Sequence, residues 1–185
     1  MENEGYEVAV LAGGCFWCME AVFSEIRGVI RVESGYSGGT ADNPSYEEVC
    51  TGNTGHAESV KVTFDPSVIS YGDILEVFFS THDPTSLNRQ GNDIGTQYRS
   101  AIFYMDSVQE SIARETIGKI EDEKRFGKPI VTEVEKFSSF YPAEEYHKDY
   151  FRNNPDSPYC MFVIAPKLEK FRKSHAPILA GSGNP

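Results

Sequence analysis

Gly13-Gly14-Cys15-Phe16-Trp17-Cys18-Met19, read with the run Val8-Ala9-Val10-Leu11-Ala12 before it, decides how this chain begins to fold. Five consecutive apolar residues suit a short strand buried on both faces. After the glycine pair, Cys15, Met19, Val22 and Ile26 recur at helical spacing, so a strand over 6–12 feeds a helix over 15–26. Cys15 is then expected in the first turn, beside unpaired backbone N–H groups and the positive end of the helix dipole. That environment favours the thiolate, which is the nucleophile. Cys18 follows three residues on, on the same helical face, close enough in principle to bridge to Cys15. The pair reads as a reactive thiol with a partner beside it.

Working outward, VIRVESGYSGG reads as a strand that ends in glycine turns. Residues 35–56 form a long loop with a short helical pattern at 46–49, and long ordered loops often carry function. Alternation over 59–64 predicts a half-exposed strand, stopped by Asp65-Pro66. A helix is expected over 71–80 with Ser70 as its N-cap, then a polar loop over 82–97. Further on come a strand at 100–105, a long helix at 106–125 capped by Asp106 or Ser107, and a strand at 130–134. A short helix opened by a proline is expected at 142–150, a last strand at 161–165, and disorder in the final GSGNP. This order predicts an α+β fold, with helices packed on a mixed or antiparallel sheet, in one catalytic domain spanning 1–185.

The chain has 185 residues, 39% apolar and 24% charged, as expected of a soluble globular domain. No apolar run approaches the roughly 18 residues that cross a membrane. The opening MENEGYE is acidic and shows no signal-peptide pattern, so the cytoplasm is the expected compartment. A net charge of −11 excludes a nucleic-acid surface. Four cysteines in such a chain point to catalysis, metal or inert thiols before structural disulfides. Zinc is disfavoured because Cys50 and Cys160 form no second close pair. Neither a dinucleotide nor a Walker glycine pattern is present, so no cofactor is expected.

Three polar segments could join Cys15: PSYEEVCTGNTGHAE, GNDIGTQYRS and FYPAEEYHKDY. They hold Tyr46, Glu58, Asp93, Tyr98, Tyr141 and His147. A thiolate attacking an oxygen-bearing electrophile needs a proton donor for the departing oxygen, and a carboxylic acid of raised pKa with tyrosine hydroxyls suits that task. Glu58 is the candidate acid, since it sits where a loop joins a rigid strand. Phe16 and Trp17 could wall a pocket for a small apolar group. Cys50 is expected to be a buried, inert residue, His56 a loop hydrogen-bonder, and the basic run 167–173 a solvated helix face.

Taken together, GGCFWC, GYSGG, PSYEEVC, TGHAESV, GNDIGTQYRSAIFY and FYPAEEYH resemble, in order, segments of the peptide methionine sulfoxide reductase A family. The resemblance spans nearly the whole chain. It implies an α/β plait, a ferredoxin-like two-layer sandwich with long ordered loops, and thiol-dependent reduction of methionine-S-sulfoxide, free or in proteins. It makes Cys15 the nucleophile and Glu58 the proton donor, with Tyr46 and Tyr98 on the sulfoxide oxygen. Phe16 and Trp17 would cradle the S-methyl group and Asp93 would orient the substrate. The sulfenic acid left on Cys15 would condense with a second thiol, and thioredoxin or dithiothreitol would reduce the disulfide. Many family members carry a glycine where this chain has Cys18 and resolve with cysteines in a glycine-rich tail. Here Cys160 lies in an apolar stretch that reads as a packed strand, so Cys18 is the expected resolving thiol, with Cys160 the alternative. A monomer is expected. The competing reading is a dithiol oxidoreductase acting on protein disulfides, because CxxC at a helix start also serves that chemistry.

Overall fold

In the computed structural model, which describes residues 5–182, the opening apolar run becomes β1 (Glu7–Gly13), followed by helix α1 (Phe16–Phe23). Then come β2 (Val29–Ser37), α2 (Tyr46–Cys50), β3 (Ala57–Phe64) and α3 (Tyr71–Thr81). A two-residue hairpin, β4 (Arg89–Gln90) and β5 (Asp93–Ile94), lies within the second polar loop. The chain continues through β6 (Ser100–Tyr104), α4 (Ser107–Asp122), β7 (Glu133–Lys136) and β8 (Phe140–Pro142). It ends in α5 (Tyr150–Asn153), a π-helix (Cys160–Ile164) and α6 (Ala165–Ser174).

Six strands form one sheet in the order β7-β6-β1-β3-β2-β8, antiparallel except where β6 meets β7. β1 is apolar throughout because both its faces are covered. Ala9 and Leu11 face the main core beneath α1, α3, α4 and α6, with Phe16, Phe23, Ile74, Phe78 and Leu168. Val10 and Ala12 face the other side, where Ala57, Ala101 and Phe103 pack against them. β3 lies between β1 and β2, so it is buried on both faces rather than half-exposed. Its Lys61 stays partly open by pairing with Glu33 and lying over the Phe140 ring. Among the described residues, no helix is long and apolar enough to cross a membrane.

The helix caps follow the sequence closely. Ser70 and Asp73 form a reciprocal capping box on α3, and the Asp106 carboxylate accepts from the Gln109 N–H at the start of α4. A second capping box, Ser45 with Glu48, starts α2 and so fixes Tyr46 at its first turn.

Several expected elements differ. α1 ends at Phe23, since Ile26 bridges to Leu179 and Gly28 adopts a left-handed φ of 92°. The strand expected at 130–134 forms about three residues later, because Val131 is held by the carbonyl of Pro84. The helix expected at 142–150 is replaced by the end of β8, a 3-10 turn (Glu145–His147) and α5. Pro142 closes an edge strand against Gly35, a place where a missing N–H does no harm. The strand expected at 161–165 is the π-helix. Its buried residues, Cys160 and Ile164, continue into Leu168 and Phe171 at helical spacing, while Met161, Phe162 and Val163 are exposed. Ala180–Ser182 form a 3-10 turn; Gly183–Pro185, the rest of the tail expected to be disordered, lie outside the described residues.

Candidate active site

Cys15 is the N-cap of α1, with extended backbone, rather than a residue of its first turn. Its carbonyl accepts from the N–H groups of Cys18 and Met19, at 3.2 and 3.4 Å. The preceding Gly14 has φ +93°, and a Cβ there would stand 2.6 Å from Cγ of Gln90 in the β4–β5 hairpin. Only glycine lets the strand turn into the helix beneath that hairpin.

Glu58 meets the same helix end from the sheet. It shares a face of β3 with Val60 and Val62, opposite Tyr36 of β2. Its Oε1 accepts the Phe16 N–H at 3.3 Å, and its buried Oε2 has no partner among the described residues. With 2% of its surface exposed, burial pushes the carboxyl up to about 8, against the pull of the Phe16 N–H. Glu58 is therefore a neutral acid at pH 7.

Cys15 is 8% exposed, and burial raises its thiol well above the usual range; hydrogen bonding to Cys18 adds to the rise. Cys18 is lowered, chiefly by the hydrogen bond from Cys15. Burial thus opposes the thiolate that the helix end was expected to favour. Cys160, fully buried, joins Cys15, Cys18 and Ile164 in one apolar cluster, and all four cysteines are free. Cys50 is exposed, not buried as expected, with Tyr46 beside it.

Tyr46 and Tyr98 lie within electrostatic reach of Glu58, and burial raises both phenols, so each remains a hydrogen-bond donor. Phe16 packs against Tyr36, Tyr46 and His147. Trp17 stacks on Tyr150 with centroids 3.6 Å apart and donates its Nε1–H to His147 Nδ1 at 3.0 Å. That leaves Nε2 of the neutral His147 ring as its N–H, buried and without a hydrogen-bond partner among the described residues. Asp93, on β5, accepts the Tyr159 hydroxyl at 2.8 Å.

The fold therefore gathers Cys15, Cys18, Phe16, Trp17, Tyr46, Glu58, Tyr98 and Asp93 around the start of α1. Tyr141 instead donates to Asp42, and His56 binds Gly39 N–H and the carbonyl of Ala41 as a loop fastener. Two contributors escaped the sequence reading. Tyr159, which lies within electrostatic reach of Cys15 and meets Trp17 edge-on, precedes Cys160 in a stretch read as strand. Glu144 accepts from the Tyr36 hydroxyl, the Tyr46 N–H and the Tyr146 hydroxyl, and its only sequence signal was its place in FYPAEEYH. Among the described residues, no group of three or more His, Cys, Asp or Glu side chains could hold a metal ion.

Comparison with known proteins places the chain in a family. A family model described as peptide methionine sulfoxide reductase matches residues 7–178. Peptide methionine sulfoxide reductase MsrA of Deinococcus radiodurans is 60% identical over 167 residues, 90% of this chain and 81% of that one. The solved reduced form of Mxr1 from Saccharomyces cerevisiae superposes with a TM-score of 0.80 at 34% identity, over 86% of this chain and 91% of that one. Mxr1 in complex with Trx2 shares the fold, with a TM-score of 0.56 at 22% identity, over 80% of this chain and 87% of that one. With its motifs in order, its site assembled and its relatives this similar, the chain belongs to the peptide methionine sulfoxide reductase family.

Proposed function

We propose that this protein reduces methionine-S-sulfoxide, free or within proteins, to methionine. The carrying observation is a buried carboxylic acid, neutral at pH 7, held by the Phe16 N–H beside the cysteine that caps α1. In this reading the Cys15 sulfur attacks the sulfoxide sulfur while Glu58 gives its proton to the oxygen. Tyr46 and Tyr98 hydrogen-bond that oxygen, Phe16 and Trp17 cradle the S-methyl group, and Asp93 orients the rest of the substrate. The oxygen passes to Cys15, which is oxidised to a sulfenic acid as the sulfoxide is reduced to the thioether. The proton lost by the Cys15 thiol restores Glu58 to its acid form, so protons balance.

Cys18 then attacks the sulfenic sulfur, water leaves, and a Cys15–Cys18 disulfide forms. The hydrogen bond between the two thiols supports Cys18 in this role, and Cys160 in the same cluster is the alternative. Thiol–disulfide exchange with thioredoxin, or with dithiothreitol in vitro, returns both thiols; the Trx2 complex of Mxr1 supports the choice of reductant. We read the chain as one catalytic domain, monomeric, cytoplasmic and free of bound cofactor. Its core is read as an α/β plait, supported by the succession β1-α1-β2-β3-α3-β6 and the strand order β6-β1-β3-β2.

The test is incubation of resolved sulfoxide epimers with enzyme and dithiothreitol. Methionine is expected from the S epimer alone, none from Cys15→Ser, and one equivalent per enzyme from Cys18→Ser in a single turnover. Mass mapping after one turnover should find Cys15 bonded to Cys18. Methionine from neither epimer would sink the activity; a Cys15–Cys160 bond would move the resolving role.

A further inference from the structure

Glu20 is a carboxylate where the core should hold none. It lies on α1 one turn beyond Trp17, and only 5% of its surface is exposed. Its partners come from two directions: the Ser34 hydroxyl of β2 donates to Oε2 at 3.1 Å, and the backbone N–H groups of Asp149 and Tyr150 lie within hydrogen-bonding reach of the same carboxylate. Those two N–H groups are orphan donors at the start of α5, where Asp149 turns through a left-handed φ of 49° and offers no side-chain cap of its own. Burial lifts Glu20 to about 6, against the three donors, so it is ionised at neutral pH and each bond is charge-assisted.

What this anchor holds is the segment that grips Trp17. Tyr150, whose N–H is on Glu20, carries the ring that lies flat on the indole, 3.6 Å away and tilted by 6°. His147, three residues earlier, takes the indole N–H. The short stretch from His147 to Tyr150 thus fixes the indole both at its face and at its edge. Beyond these ring contacts and that of Phe16 with His147, its tie to α1 is the buried carboxylate of Glu20.

We infer that Glu20 is a positioning residue: it ties the 147–150 segment to α1 so that Trp17 stands as a rigid wall beside Cys15. This rests on the proposed role of Trp17 in cradling the S-methyl group. The chemistry at Cys15 and Glu58 does not involve Glu20, so its loss weakens substrate recognition and spares the chemical step.

Trp17 is the only tryptophan in the chain, which gives the test an optical readout. Glu20→Gln leaves one acceptor oxygen where there were two, and Glu20→Asp keeps the charge but draws it back by one methylene. In each, the emission of Trp17 is expected to shift to the red and acrylamide quenching to rise. The KM for methionine-S-sulfoxide with dithiothreitol should increase about tenfold, the worth of one charge-assisted bond, with kcat within about twofold. Tyr150→Leu, which removes the stacked ring at the far end of the clamp, should give the same split. Its combination with Glu20→Gln should raise KM no further than the larger single effect. Unchanged emission and KM in both Glu20 variants overturns the inference, as does a fall in kcat at constant KM or multiplicative effects in the double variant. Were the unaltered enzyme to make no methionine, the reductase reading would fall, while the emission comparison would still decide the clamp.

Discussion

Glu58 carries two opposite obligations, to folding and to chemistry. Below pH 4.5, its ordinary value, the carboxyl is protonated in both the folded and unfolded chain. As pH rises from there to about 8, only the unfolded chain ionises, so folding steadily loses stability, and above about 8 the loss is complete. Glu58→Gln removes this penalty. In urea denaturation it should be more stable than the parent by a few kcal/mol at pH 8, the gap closing toward pH 4.5. The same substitution should slow methionine formation strongly in rapid-quench single turnovers. In the parent that rate should fall as pH climbs through about 8, because the proton donor is being titrated away. Equal stability at pH 8 would mean that the carboxyl is not neutral. Candidate residues could be named because a thiol, an acid and two phenols stood in recognisable segments, and the fold brings them together. Their ionisation states were not legible, because burial sets them. The sequence argument weighed only the helix end, which favours a thiolate, whereas burial of Cys15 acts the other way.

Among the elements, the turn from β1 into α1 is the most constrained. Gly14→Ala must accept a left-handed backbone, at about 1–2 kcal/mol, and must displace Gln90, which bridges both backbone groups of Asp83. The variant is expected to lose roughly 2–4 kcal/mol in urea denaturation, with slower turnover as the hairpin and Cys15 shift. A loss below about 0.5 kcal/mol would show that the turn relaxes freely. Elements with strong local signals were readable: the capping serine at 70, the alternation in β3, the long α4. Those decided by long-range pairing were not. β8 exists because Phe140–Pro142 adds to the edge of β2, and no local signal in FYP announces a partner a hundred residues away. The π-helix was misread because MFVIA is apolar, and composition was given more weight than the spacing of Cys160, Ile164, Leu168 and Phe171.

At the scale of the whole molecule, α1, α3, α4 and α6 share one main core against one face of the sheet, so these parts lack separate interiors. Unfolding should therefore be a single transition in which calorimetric and van 't Hoff enthalpies agree; two resolved transitions would contradict a single domain. The α+β class was readable from element order, but the strand order was not, since it depends on which strands meet in space. That order has a further consequence at the rims of the sheet. A sheet that does not close on itself leaves two margins where a foreign strand could attach and begin an aggregate. Here one margin is Glu133-Val134-Glu135-Lys136, four residues with three charges, and the other is a three-residue strand that stops at a proline, followed by the stretch of β2 before Gly35, which carries Arg31 and Glu33. These rims are short or charged and make poor templates, so a peptide methionine sulfoxide reductase offers an extended peptide little edge on which to grow.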